Sequence, residues 1–162
     1  MKLFITFLVA LVFSSTQVGS ASTNEFRVSS SMIINYESEI RDVLETEGLD
    51  PFVVDLLVAQ SKHESGNYKN SLTKYNNVFA RHYHKTDTFA TSAGAEAEGH
   101  SRFAKYPTLR SATLSQISYL RRKNYSFKWK SPNEFATELK SKSYYEASIE
   151  EYSAALKRYM PK

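Results

Sequence analysis

The chain has 162 residues, 41% of them hydrophobic and 23% charged, with a formal net charge of +4 and no cysteine. That length holds one core-bearing domain rather than two, and the composition excludes a disordered chain. The lack of cysteine excludes a disulfide framework and a lipoprotein anchor, and so small a positive charge, with no basic helix or aromatic RNA motif, argues against a nucleic-acid partner.

Residues 1–20 read as a secretory signal peptide. Lys2 precedes an almost wholly apolar run from Leu3 to Phe13, and small residues follow through Ala21. The run is well short of the roughly 20 residues that span a bilayer, so no stable membrane insertion is expected after cleavage. Removal of residues 1–20 leaves 142 residues carrying +3. That weak charge suits a polyanionic envelope polymer and equally suits ordinary solubility. Residues 21–34 read as a polar leader tail and 35–162 as the folded domain, expected to act as a monomer in the secreted or periplasmic space.

Asn35 is the expected cap of a first helix over Tyr36–Glu47, with Ile40, Val43 and Leu44 on its buried face and Gly48 ending it. Asp50-Pro51 predicts a second helix start, an acidic cap followed by proline in the first turn. That helix is apolar on several sides, hence buried, and runs to Glu64 before Gly66. A carboxylate ending such a helix stands half out of water, where desolvation keeps it protonated for acid catalysis. Asn76, Asn77 and Phe79, just downstream, are the neutral hydrogen-bonding and stacking groups a carbohydrate site needs, although asparagine also shapes turns and at least one of the two is expected to hold the loop.

Farther along, Thr86–Ala95 and Ser101–Tyr106 predict a short β-hairpin turning at Glu98-Gly99-His100. A helix with Leu114, Ile117 and Leu120 ends near Asn124. Ser131-Pro132-Asn133-Glu134 has the form of a capping box, with Phe135 and Leu139 marking the buried face. A last helix starts near Ser148, with Glu151 as its acidic partner and Ile149, Tyr152, Leu156 and Tyr159 at helical spacing.

Three segments together resemble the glucosaminidase domain of bacterial and phage peptidoglycan hydrolases. They are AQSKHESGNYKNSLTKYNNVFA at 59–80, FAKYPTLRSATLSQISYL at 103–120 and SKSYYEASIEEYSAALKRY at 141–159. The resemblance covers nearly all of Asn35–Tyr159 in the family's order, and the run of three is more specific than any one alone. It implies a mainly α, lysozyme-like helical domain with a small β-hairpin lobe flanking a substrate groove. It further implies cleavage of the β-1,4 bond after N-acetylglucosamine in peptidoglycan glycan strands, with no cofactor.

In that family the catalytic acid corresponds to Glu64. A second carboxylate comes from the hairpin lobe, where Glu96 and Glu98 are the candidates, Glu98 preferred for lying beside the turn, with Asp87 further off. The substrate's own N-acetyl group is the alternative nucleophile. Tyr144 matches the family's late tyrosine, with Tyr145 as its rival, and Tyr106 joins Phe79 as a groove or core aromatic. The chain departs from the family at Ala80, where glycine is usual, and at Asn67-Tyr68-Lys69.

Other chemistries are disfavoured. His63-Glu64 begins the zinc-peptidase pattern, but Asn67 stands where its second histidine belongs; His82, His84 and His100 form a weak metal set, and no metal is expected. No Gly-x-Ser-x-Gly elbow supports a serine nucleophile. A muramidase or lytic transglycosylase, and a secreted glycan-binding module without catalysis, are the competing function classes.

Overall fold

The computed structural model describes residues 30–96 and 102–162. The expected signal peptide, the start of the leader tail, the Glu98-Gly99-His100 turn and Glu98 itself lie outside the described residues. Helix α1 spans Ser30–Thr46. Asn35 is therefore inside α1 rather than its cap, and the expected tail yields its last five residues to the helix. Residues 30–34 contain neither glycine nor proline to stop it. Ile40, Val43 and Leu44 are its buried residues. Its end closes as expected at Gly48, whose φ of +72° goes with a bond from the Leu49 amide to the Leu44 carbonyl at 3.4 Å.

Helix α2, Pro51–Glu64, is capped by the Asp50 carboxylate, which accepts from the Phe52 amide at 2.9 Å. Val53, Val54 and Leu56 through Ser61 are all buried, so α2 is the central helix of the fold. An ion pair from Arg41 to Asp55 at 2.7 Å joins α1 to it. Beyond α2 the chain reverses through three consecutive left-handed residues, Gly66, Asn67 and Tyr68, at φ +60°, +57° and +62°. The turn buries the Tyr68 ring against Tyr36, 5.2 Å away, and brings its hydroxyl 2.8 Å from Ser61. Burial of an aromatic ring that also satisfies a buried serine offsets the backbone strain. A 3₁₀ turn over Ser71–Tyr75 follows, capped by Asn70; it carries no apolar periodicity that sequence reading would detect.

Strands β1, Ser92–Glu96, and β2, Arg102–Lys105, pair antiparallel, with Ser92 opposite Lys105, Ala93 opposite Ala104, and a bulge before Glu96 meets Arg102. The expected first strand is shortened, because Thr86–Ala90 forms turns around Asp87 instead. Asp87 accepts from the Phe89 amide at 3.1 Å, the Ser115 hydroxyl at 2.6 Å and the Tyr106 hydroxyl at 3.0 Å. These bonds tie the lobe to the third helix. The other edge of β2 is met by residues 81–83: the Ala104 amide donates to the Arg81 carbonyl at 2.9 Å and the Tyr83 amide to the Arg102 carbonyl at 2.6 Å.

Helix α3 spans Leu109–Arg122, with Thr108 accepting from the Ser111 amide. Helix α4 spans Pro132–Ser141 and uses only half of the expected box: Ser131 caps the Glu134 amide, while Glu134 accepts from Lys130 at 2.8 Å. Helix α5, Ile149–Lys157, has the full reciprocal box between Ser148 and Glu151. The domain is thus mainly α. Helix α1 packs on α2 and α3, and α5 on α2 and α4, around a core that includes Leu57, Val58, Ile117, Leu120, Phe135 and Leu156.

Ala80 adopts φ +48°, so the loop keeps the left-handed conformation that glycine would take more easily. Ala80→Gly is accordingly expected to raise stability by about 1 kcal/mol, read as a higher denaturation midpoint with an unchanged m-value. An unchanged or lower midpoint would contradict this.

Candidate active site

Glu64 is placed by the last turn of α2, where Ser65, Gly66 and the following left-handed residues turn the chain away. The helix therefore ends with its carboxyl at a groove of about 1010 Å³. The groove's walls come from the Phe79–His84 loop, Phe103 of β2, the end of α3 at Tyr119, and the α4–α5 connection with Tyr144 and Tyr145. Tyr152 of α5 completes the lining.

The carboxyl is held from one side. Tyr152 donates to Glu64 Oε1 at 2.7 Å and itself receives a bond from Gln60 Nε2 at 3.2 Å. Gln60, one turn before Glu64 on α2, is fully buried; its Oε1 accepts from Gln116 Nε2 at 3.0 Å, and that same nitrogen lies 3.3 Å from the Tyr144 hydroxyl. The Tyr145 ring stacks on Tyr152 at 4.0 Å and 8°, and His63 meets Tyr152 edge-on at 5.1 Å. Tyr152 is thus clamped by two rings and two hydrogen bonds. Because it donates to Oε1, Oε2, without a partner among the described residues, is left to carry the proton.

Desolvation raises the pKa of Glu64 above the ordinary carboxylate range, opposed by the hydrogen bond from Tyr152, which favours the ionised form. Burial likewise pushes the Tyr144 and Tyr152 hydroxyls up, reinforced by the neighbouring Glu64 charge, so both act as neutral phenols. Burial, aided by Arg158, lowers the pKa of His63 and keeps it neutral near pH 7. A carboxylic acid with one oxygen fixed and its proton kept to higher pH is equipped to donate to a leaving oxygen.

The other sequence candidates divide. Tyr144 lines the groove, whereas Tyr145 supports Tyr152 and donates to the Ala136 carbonyl at 2.8 Å. Phe79 is 1% exposed, a core residue forming part of the groove floor. Tyr106 does not reach the groove: it is buried beneath the hairpin with Ala104 and Ala112, its hydroxyl held between Asp87 and Ser115. Asp87, with both oxygens engaged there, holds the lobe and does not line the groove. Glu96 is the last residue of β1. Among the described residues, Glu64 is the one carboxylate lining the groove.

Neither asparagine lines the groove. Asn76 donates to the Tyr106 carbonyl at 3.0 Å from a left-handed backbone. Asn77 is fully buried; its amide donates to the carbonyls of Arg81 and Ala104 and accepts from the Arg81 amide, all within 3.0 Å. Asn77 thus fastens the loop that carries the groove wall to β2. Asn77→Ala orphans these buried backbone groups and is expected to cost about 3 kcal/mol of stability by urea denaturation; a cost near zero would refute its role as a fastener.

Sequence reading missed Tyr152, Gln60 and Gln116. Tyr152 carries the spacing of an ordinary buried-face residue, and only the fold brings it 88 residues back to Glu64. Gln60 did leave a signal: it is a polar residue inside an apolar helix, four before Glu64 and so on the same face.

The domain holds a desolvated carboxyl at a helix end, inside an aromatic-lined groove flanked by a small β lobe, an arrangement that has the groups acid-catalysed glycoside cleavage requires. The chain is a member of the glucosaminidase family of glycoside hydrolases: the family model described as mannosyl-glycoprotein endo-beta-N-acetylglucosaminidase matches residues 37–162. The fold is similar to that of a chain in a solved structure described as a type VI secretion system effector-immunity complex from Pseudomonas protegens. The TM-score is 0.60 at 17% identity, over 78% of this chain and 86% of that one. At that identity the likeness is one of fold. No curated protein matches the sequence. No helix among the described residues is long and apolar enough to cross a membrane.

Proposed function

We propose that this protein is an exported peptidoglycan hydrolase that cleaves the β-1,4 bond after N-acetylglucosamine, with Glu64 as general acid. The observation that carries the reading is the Glu64 carboxyl itself, desolvated, anchored through Oε1 by Tyr152 and opening on a groove of about 1010 Å³. Glu64 protonates the leaving oxygen as the sugar becomes oxocarbenium-like. Tyr144, held at the groove by Gln116, orients the N-acetyl group or a water. The stabilising partner on the other face comes from Glu98, or Glu96, of the hairpin lobe, or from the substrate's N-acetyl group. Export is supported by the signal-like residues 1–20, which would bring the domain to the cell envelope.

Product analysis tests the reading. Mass spectrometry of muropeptides released from purified peptidoglycan is expected to show reducing N-acetylglucosamine ends. Reducing or anhydro-muramic acid ends would instead assign muramidase or lytic transglycosylase chemistry, and binding without release would indicate a glycan-binding module.

A further inference from the structure

Apart from Glu64, the charged residues lining the groove are cationic among the described residues. Arg81 comes from the loop fastened by Asn77, Arg122 and Lys123 from the end of α3, and Lys142 from the end of α4. Lys142 is compensated: its ammonium lies 3.3 Å from the Glu138 carboxylate and donates to the carbonyls of Lys123 and Asn124 at 2.8 and 2.7 Å. Arg81, Arg122 and Lys123 form no ion pair among the described residues.

Arg81 is moreover pre-set. Its guanidinium carbon lies 3.7 Å from the centroid of the Tyr119 ring, and its Nε is buried without a hydrogen-bond partner. Stacking fixes the plane of the fork while leaving donors unspent, the state in which a guanidinium accepts a planar carboxylate at least entropic cost. The Arg122 side chain leans on Thr86 through a long 3.4 Å contact, setting a second guanidinium at the rim between α3 and the lobe. A neutral N-acetylhexosamine ring offers hydroxyls and an amide, which call for no such concentration of positive charge.

We propose that Arg81, Arg122 and Lys123 form a carboxylate-reading wall that engages the acidic peptide substituents of the glycan. The groove thereby selects peptide-bearing strands over bare N-acetylhexosamine polymers. The proposal rests on the glycan-cleaving reading of Glu64 and adds what recognises the substrate. These residues act on binding, hence on KM, whereas Glu64 acts on the chemical step.

The test compares intact peptidoglycan freed of phosphate polymers with the same strands stripped of peptides by an amidase, the carboxylates that this hydrolysis leaves on the glycan being capped as neutral amides. Wild type is expected to show kcat/KM about tenfold higher on intact strands at low salt, the worth of one charge-assisted hydrogen bond, with the gap closing at high salt. In R122A/K123A, both exposed substitutions, KM on intact strands should rise about tenfold toward the stripped-strand value. Equal wild-type rates on the two substrates, or the same loss on both in the double variant, would overturn the wall. Co-sedimentation of Glu64→Gln with intact and stripped strands decides the matter without turnover: salt-sensitive retention on intact strands alone supports it, and equal retention refutes it. Failure of wild type to cleave either substrate sinks the catalytic reading, a result distinct from equal cleavage of both.

Discussion

Glu64→Gln is expected to lower kcat on peptidoglycan by at least about a hundredfold while leaving KM within a few-fold of wild type. The amide occupies the carboxyl's volume and still accepts from Tyr152, so the groove keeps its shape, yet it carries no transferable proton at the position of Oε2. Loss of general acid catalysis alone is worth about 10²–10⁴ in rate. A second readout separates this from misfolding. Desolvation places the folded pKa of Glu64 above its unfolded value, so the native state holds the proton to higher pH than the unfolded chain does. Stability is therefore lost as pH rises from the ordinary carboxylate range through the folded pKa, because the unfolded state ionises first. Glu64→Gln removes that loss. Its thermal midpoint should exceed that of wild type at pH 7 and converge with it at pH values below the ordinary carboxylate range. A variant both inactive and less stable at pH 7 would mean that Glu64 is chiefly structural.

Tyr152→Phe is expected to have the second-largest effect, on rate and on its pH dependence together. The hydroxyl stabilises ionised Glu64 against the desolvation that favours the neutral acid. Deleting it leaves desolvation unopposed, so the carboxyl keeps its proton to still higher pH and the alkaline limb of kcat/KM moves upward. Meanwhile Glu64 Oε1 loses its anchor, and kcat at the optimum should fall by about tenfold through misplacement of the acid. The phenylalanine ring still stacks on Tyr145, and the stability cost should stay near 1–2 kcal/mol, arising from the orphaned Gln60 amide. A lower rate with an unmoved pH profile would show that Tyr152 merely packs the helix. The opposite shift would contradict the electrostatic account.

Local signals carried much of this fold. Asp50-Pro51, Gly48, Gly66 and the Ser148 box are contacts within a few residues, so their chemistry is written in the chain, and the periodic faces of α3 to α5 follow from burial. The start of α1 was misplaced because Asn35, a good cap, is also tolerated inside a helix whose preceding residues permit it. The site was half legible. Glu64 stood out by its place at the end of an apolar helix, and the family's order of motifs reinforced it. Tyr152 and Gln116 were not legible, since hydrogen bonds spanning 88 and 56 residues depend on how α5 and α3 pack on α2. Asn77 and Tyr106 stayed open for a related reason. Their side chains suit a sugar site as well as a buried fastening, and only the surrounding carbonyls and Asp87 show which they serve.

The central claim is that Glu64 delivers a proton to a glycosidic oxygen. The most direct measurement is the rate at which reducing N-acetylglucosamine ends appear when wild type and Glu64→Gln act on the same purified peptidoglycan, with thermal midpoints recorded alongside. The account predicts steady release by wild type and at least a hundredfold slower release by a variant as stable or more stable. Equal release by the two proteins would contradict it.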